Sequence, residues 1–330
     1  MSRALARRQE PALSPAGTLL REPVAAWRRA EPPWRVAYAV GMLLMVVGLA
    51  HGGAWLLAGG AWEGPVSFRK PFSFGLSFGL ATVTLAWFAD RLRLSRTAGW
   101  ALVVPIAMAN ASEVAWVSVQ RARGVASHFN VSSPLDYGLF IAMGIVVAVV
   151  ALATAALTVL AFHRRTADPA LTLAIRVGLV LLFVAMIGGG AMLSVGNERA
   201  ELGQTQDLVR WGAAGNMKVT HALGLHGAQV LAGLAVWLSA TTLAVATRTR
   251  IVAIAAAGYT GLIAAGTLQW LQGRALLQIG WLDGTLWLTS ALTLAAVAVT
   301  ALRASRRAGL DQRRGDRAAA ARHRSTPGKD

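Results

Sequence analysis

The side chains able to do chemistry fall into a few groups along the chain. Asn110, Glu113 and Gln120 are spaced by three and seven, which puts them on one face of a helix. This stripe runs directly into Arg121, Arg123, Ser127, His128 and Asn130. Further on, Lys218, His221, His226 and Gln229 fall within an arc of about 140° at helical spacing. The two histidines are five apart, so they do not stack as an i, i+4 metal pair, yet they can address one cavity at different depths. His51 stands alone in another apolar run, and Gln269, Gln272 and Arg274 close a third. Neutral imidazoles on different helices can ligate haem iron or a divalent metal. A carboxylate in hydrocarbon must be paired or protonated, and can then donate a proton. Glu113 is thus the candidate catalytic acid, and His51, His128, His221 and His226 are the candidate metal or haem ligands, with His51 paired with His221 or His226. Arg121, Arg123, Lys218, Gln120 and Gln229 are the candidate cofactor- or substrate-binding groups. Each also has a plainer role open to it: a lone histidine as a packing residue, or Glu113 as the acid of a structural ion pair with Arg121, Arg123, His221 or Lys218.

The elements that must position these groups are eight long apolar runs, expected at 36–58, 71–90, 99–119, 134–162, 171–194, 218–246, 250–271 and 283–302. The chain of 330 residues is 55% hydrophobic and only 14% charged, where soluble domains carry about a quarter charged residues. Crossing a ~30 Å hydrocarbon core takes about 20 helical residues. Barrel strands alternate over ~10 residues, whereas these runs are continuous and rich in Ala, Leu, Val and Gly. The expected fold is therefore all-α, a polytopic transmembrane helix bundle lying in the lipid bilayer. Start signals support the boundaries: Ser133-Pro134-Leu135-Asp136, Asp168-Pro169, Lys70-Pro71 and Asp283.

Eight spans put both termini on one side. That side carries 24 Lys and Arg and the other carries 8, which predicts cytoplasmic N- and C-termini in the plasma membrane. Glu113, His51, His128, His221 and His226 then belong to the outer half or outer surface, and the inner halves carry few ionisable groups. The net charge of +17 is absorbed by this asymmetry, and no nucleic-acid partner is expected. With no cysteine, disulfides, iron–sulfur clusters and thiolate ligands are excluded. The expected organisation is a basic disordered cytoplasmic tail at 1–35, an eight-helix domain at 36–302 and a second basic disordered tail at 303–330. The first run starts too far into the chain for a cleaved signal peptide and is expected to be a retained span. The loop at about 195–217 could form a short lid helix. Gly75 and Gly79, Gly188-Gly189-Gly190 and Gly258/Gly261 mark close helix crossings. Leu49–Ala54 echoes Leu225–Ala228 on spans of opposite direction, an echo that composition alone explains.

The string Arg123-Gly124-Val125-Ala126-Ser127-His128-Phe129-Asn130, with Glu113 and Gln120 before it, and His221-x-x-x-Leu225-His226-x-x-Gln229 behind Lys218, resemble a family of bacterial multi-pass membrane proteins that has no established activity. The resemblance spans roughly 60–285 and implies no reaction. The eight-span layout with outward histidines also resembles haem A synthase at the level of the fold. That family carries an acid–histidine–arginine pattern in its second span, where this chain has Ser, Phe and Gly.

These residues point to three classes of function. One is a membrane protein with an outward-facing His/Glu/Arg pocket holding haem b or a divalent metal. The second is a transporter or receptor for a small, anionic solute bound at the outer face. The third is a non-catalytic scaffold. No Gly-x-Ser-x-Gly elbow, His-Glu-x-x-His helix or phosphate-binding Gly-Lys-Ser/Thr loop is present.

Overall fold

The computed structural model describes residues 14–204 and 208–325. Among these residues there are nine helices: α1 Pro15–Arg29, α2 Pro32–Ala58, α3 Arg69–Arg91, α4 Arg96–Ala122, α5 Pro134–His163, α6 Pro169–Glu201, α7 Met217–Ser239, α8 Val245–Leu271 and α9 Trp281–Ser325. Helices α2 to α9 are each long and apolar enough to cross a membrane, as the sequence predicts. The capping signals hold: Ser133 Oγ accepts from Asp136 N at 3.1 Å and Asp168 Oδ1 from Ala170 N at 2.9 Å. Within α4, residues Gly99–Val103 form a π-turn in which the Val104 N–H reaches Gly99 O. Pro105, lacking an N–H, follows at once.

Three expectations change. Residues 15–29 of the expected disordered tail are helical, capped by Ser14 Oγ on Gly17 N. The buried side of α1 is a helical stripe of Pro15, Glu22 and Ala26, continued by Ala30. It packs on α7 and holds α3 through Glu22, which pairs with Arg91 and accepts from Trp87 Nε1 at 3.0 Å. The stripe is made of small and polar residues, while the larger apolar residues Leu20, Val24 and Trp27 lie on the opposite, exposed face at helical spacing behind the Ser14-Pro15 cap. At the other end α9 stays helical to Ser325; residues 1–13 and 326–330 of the two expected tails lie outside the described residues. In the loop at 195–217, α6 runs on to Glu201 and a two-residue antiparallel ladder pairs Arg210–Trp211 with Gly215–Asn216, in place of a lid helix.

The eight spans form two four-helix halves, α2–α5 and α6–α9, with the same packing plan. In the first, α2 packs on α3 and α4, α3 on α4, and α4 on α5; in the second, α6 packs on α7 and α8, α7 on α8, and α8 on α9. The closest crossings share a register. A Cβ on Gly41, Gly48 or Gly52 of α2 would meet the backbone around Gly79, the backbone around Gly75 and the ring of Phe72. A Cβ on Gly178 would meet Ala228, one on Gly224 would meet Ala185, and one on Gly189 would meet His221. The spacing along each pair of helices is identical, and Gly52-Gly53-Ala54 falls on Gly189-Gly190-Ala191. The internal repeat therefore runs in the same direction through the membrane. It is not the inverted echo of Leu49–Ala54 with Leu225–Ala228.

Candidate functional site

Both halves end the same way, at the end of the bundle away from the chain termini. Gln120-Arg-Ala-Arg-Gly124 closes α4 and Gln269-Trp-Leu-Gln-Gly273 closes α8. Gly124 and Gly273 turn the chain with φ of 72° and 68°, the left-handed conformation that glycine adopts without a Cβ clash. An arginine borders each turn, Arg123 just before Gly124 and Arg274 just after Gly273, and Leu-Asp lies at the start of the next helix. Gln120 Nε2 donates to Asp136 Oδ1 at 2.8 Å; Arg123 pairs with the same oxygen at 2.5 Å and also donates to Gln120 Oε1. In the second half Arg274 pairs with Asp283 Oδ1 at 2.9 Å, and Gln269 Nε2 donates to the carbonyls of Ala275 and Leu276 at 2.8 Å. Gln120, Asp136, Gln269 and Asp283 are all buried. Gln120 and Arg123, expected to bind a cofactor, are thus engaged in a clamp on Asp136, and the second half closes with Gln269 and an arginine-paired Asp283.

A second polar cluster occurs once. Glu113 lies nine residues before the end of α4, about 14 Å along the helix axis at 1.5 Å per residue. Its side chain is buried, and neither carboxylate oxygen has a hydrogen-bond partner among the described residues. His128 Nε2 stands 3.3 Å from Glu113 Oε1, within ion-pair distance but out of line for a hydrogen bond. On its other edge, His128 Nδ1 lies 3.1 Å from Lys70 Nζ and 3.2 Å from Ser127 Oγ. An ammonium can only donate, so Nδ1 accepts and the imidazole proton sits on Nε2, facing the carboxylate. Burial and the neighbouring Lys70 charge hold the His128 pKa below its usual value, against the pull of Glu113. Three rings pack around the imidazole: Phe74 at 5.8 Å, Phe129 and Phe140 at 6.3 Å. Phe129 has φ of 57°, unusual for a non-glycine residue, and its ring lies where a side chain on Gly196 of α6 would be. The loop carrying His128 is thereby pinned to the second half.

The remaining candidates go elsewhere. Arg121 stacks its guanidinium 3.9 Å over Phe68, and its buried Nε has no partner among the described residues. Lys218 is exposed at the start of α7, within electrostatic reach of Lys70. Gln229 links α7 to α3: with its amide oriented to match its neighbours, it accepts from Thr84 Oγ1 at 3.3 Å. His51 Nδ1 bonds Val47 O of its own helix at 2.9 Å. His221 Nδ1 bonds Ala185 O of α6 at 2.7 Å. His226 is half-buried on α7. The expected convergence of α4 and α7 is therefore replaced. Glu113 meets His128 and Lys70, while His221 turns to α6. Among the described residues no group of three or more His, Asp or Glu is placed to hold a metal ion. Lys70 is the member of the cluster that the sequence points to least, since it reads only as the start of a helix and part of a basic rim.

A scan against family models, a search of curated proteins and a search of solved structures all return no match.

Proposed function

We propose that this integral membrane protein handles protons and a small anionic solute at its outer face, through Glu113, His128 and Lys70. The observation that carries the reading is the internal repeat. In the register that sets Gly75 on Gly224 and Gln120 on Gln269, Lys70 falls on Val219 and Glu113 on Leu262. A fold made of two such halves uses a buried Gln and a buried, arginine-paired Asp at this end, because both halves have them. It needs no acid or ammonium at the other two positions, because the second half manages with leucine and valine. A buried carboxylate without hydrogen bonds is destabilising unless it does something.

The cluster can relay a proton: Lys70 Nζ gives one to His128 Nδ1 as His128 Nε2 gives its own to Glu113, and the imidazole stays neutral throughout. Lys70, Lys218 and Arg121 together exceed the one carboxylate, which favours an anion. The excess of Lys and Arg on the terminal side supports cytoplasmic termini, a plasma-membrane location and an outward-facing site. The resemblance of the loop and of α7 to a bacterial family belongs to this proposal and adds no activity to it. A haem or metal site draws less support, because two of the imidazoles are tied to backbone carbonyls and the four stand apart.

The test uses purified protein in nanodiscs in weak buffer, titrated with acetate, succinate and inorganic phosphate while a pH indicator follows protons. Binding of at least one anion with proton uptake, lost in Glu113→Gln and His128→Gln, is expected. Binding with no proton exchange, or no binding of all three, would overturn the reading.

A further inference from the structure

Between α6, α7 and α8 lies a cavity of about 220 Å³. Its walls are mostly apolar, and the residues with polar side-chain groups are His221, Thr220, Thr267 and Trp270. Ala185 O can only accept, so the neutral His221 imidazole carries its proton on Nδ1, and Nε2 is left as an acceptor with no partner among the described residues. Thr220 Oγ1 is buried and also has no partner among those residues. The repeat explains the space. Gly188 sits where the first half has His51, and His221 sits where the first half has Phe72. Imidazole and phenyl ring thus stand in the first half at the places that glycine and histidine hold in the second. A Cβ on Gly188 would meet nothing within 4 Å. Val184 and Ile187 of the lining are 46% and 60% exposed on a membrane-spanning helix, so the mouth of the cavity faces lipid.

We propose that this cavity binds a lipid-soluble, single-ring molecule bearing a hydroxyl, a phenol or quinol head group. Its hydroxyl donates to His221 Nε2. Cavities of about 150 Å³ hold benzene, so the volume suits one ring with small substituents. An acyl chain could fill the space but would leave His221 Nε2 unpaired.

The probes are trimethylphenol and its methyl ether, which has the same ring and no donor. Each is titrated into protein in nanodiscs, with protein-free nanodiscs of the same lipid as background. Binding is read from saturation-transfer NMR and from the ¹⁵N signal of His221. The phenol is expected to bind about tenfold more tightly than the ether and to shift Nε2. Gly188→Ile, which fills open space, abolishes binding while the thermal midpoint holds. His221→Phe, the residue of the first half, reduces phenol binding to the level of the ether. Equal binding of phenol and ether would show a merely apolar, lipid-filled groove and overturn the proposal. So would phenol binding that survives Gly188→Ile.

Discussion

The two clamps make a quantitative prediction because their acceptors differ in one respect. Asp136 and Asp283 side chains are 4% and 1% exposed, and their arginines 35% and 38%. Changing either aspartate to asparagine removes the negative charge and leaves the guanidinium able to turn toward water, so the lost ion pair alone contributes little. What remains is the replacement of a charged acceptor by a neutral one, about 1–1.5 kcal/mol. At Asp136, Oδ2 is held by Ser133 Oγ at 2.6 Å, and a hydroxyl can rotate to accept from the new amide. At Asp283, Oδ2 accepts from Gly280 N at 3.0 Å and Oδ1 from Arg274. An amide can offer its oxygen to only one of them, so a buried N–H or the guanidinium faces an NH₂. That adds about 1–3 kcal/mol. Asp136→Asn should therefore lower stability by about 1.5 kcal/mol and Asp283→Asn by about 3 kcal/mol. SDS-driven unfolding in mixed micelles, followed by far-UV circular dichroism, measures both. Arg274→Met in the Asp283→Asn background should be less destabilising than the sum of the two single changes, by about 1 kcal/mol. If the order is reversed, or both changes fall below about 0.5 kcal/mol, the clamp is not what holds these helix ends.

Other outcomes follow from packing and charge. Gly75→Ala sets a Cβ 2.6 Å from Gly48 Cα and should destabilise by about 1–3 kcal/mol, whereas Gly53→Ala meets only open space and should be neutral or slightly stabilising in the same assay. His128 is held neutral in the folded protein, so its protonation favours unfolding. Its contribution is full above about pH 6.5, the unfolded value, and is lost as pH falls below it. The thermal midpoint of His128→Gln should thus fall less between pH 7.5 and 5.5 than that of the unaltered protein, and parallel curves would refute the assignment. Glu22→Gln keeps an acceptor for Trp87 but drops the ion pairs with Arg91 and Arg29, the latter at 3.9 Å. Hydrogen exchange should then quicken several-fold at 15–29 and nowhere else.

The fold was legible because lipid imposes length and composition on each crossing. The observed helices start and end within a few residues of the apolar runs, apart from α7, which stops at Ser239 rather than running to 246, α6, which continues past 194 to Glu201, and α9, which continues past 302. The helix α1 is hard to place from the sequence because the residues it buries in the core, Ala26 and the following Ala30, are small, while its larger apolar residues Leu20, Val24 and Trp27 are exposed. Within the site, the polar stripe of α4 and the loop to His128 were legible from spacing alone. Lys70 was not, because it reaches His128 across 58 positions of sequence, and no local pattern encodes that pairing. Sequence reasoning gives the histidines of α7 to the same site because they fall toward the same end of the bundle as Glu113. The side chain of His221 turns instead to Ala185 through the gap left by Gly189, a contact visible only once α6 and α7 are known to cross there.

The signal that could have sorted structural from functional polar groups was present in the chain: Gln-x-x-x-Gly followed by Leu-Asp, twice, in the same direction. Once the halves are aligned, the polar residues separate by a physical criterion. Those found in both halves close helix ends and satisfy buried carboxylates, a requirement that any bundle of this shape must meet. Some found in one half also tie helices together, as Asn110 does through Thr82 Oγ1 at 2.9 Å, but Glu113 has no hydrogen bond among the described residues. Glu113, His128 and Lys70 lie in the first half at the polar end of the bundle, where water and solutes arrive. His221, Thr220 and the space beside Gly188 lie in the second, open toward lipid. A duplicated scaffold that kept its clamps and let the rest diverge would acquire in this way one site for a water-borne ligand and one for a lipid-borne ligand. The pinning of the His128 loop to Gly196 of α6 gives the two a shared mechanical element. A ligand in the cavity that shifts α6 must therefore also move the phenyl ring beside His128.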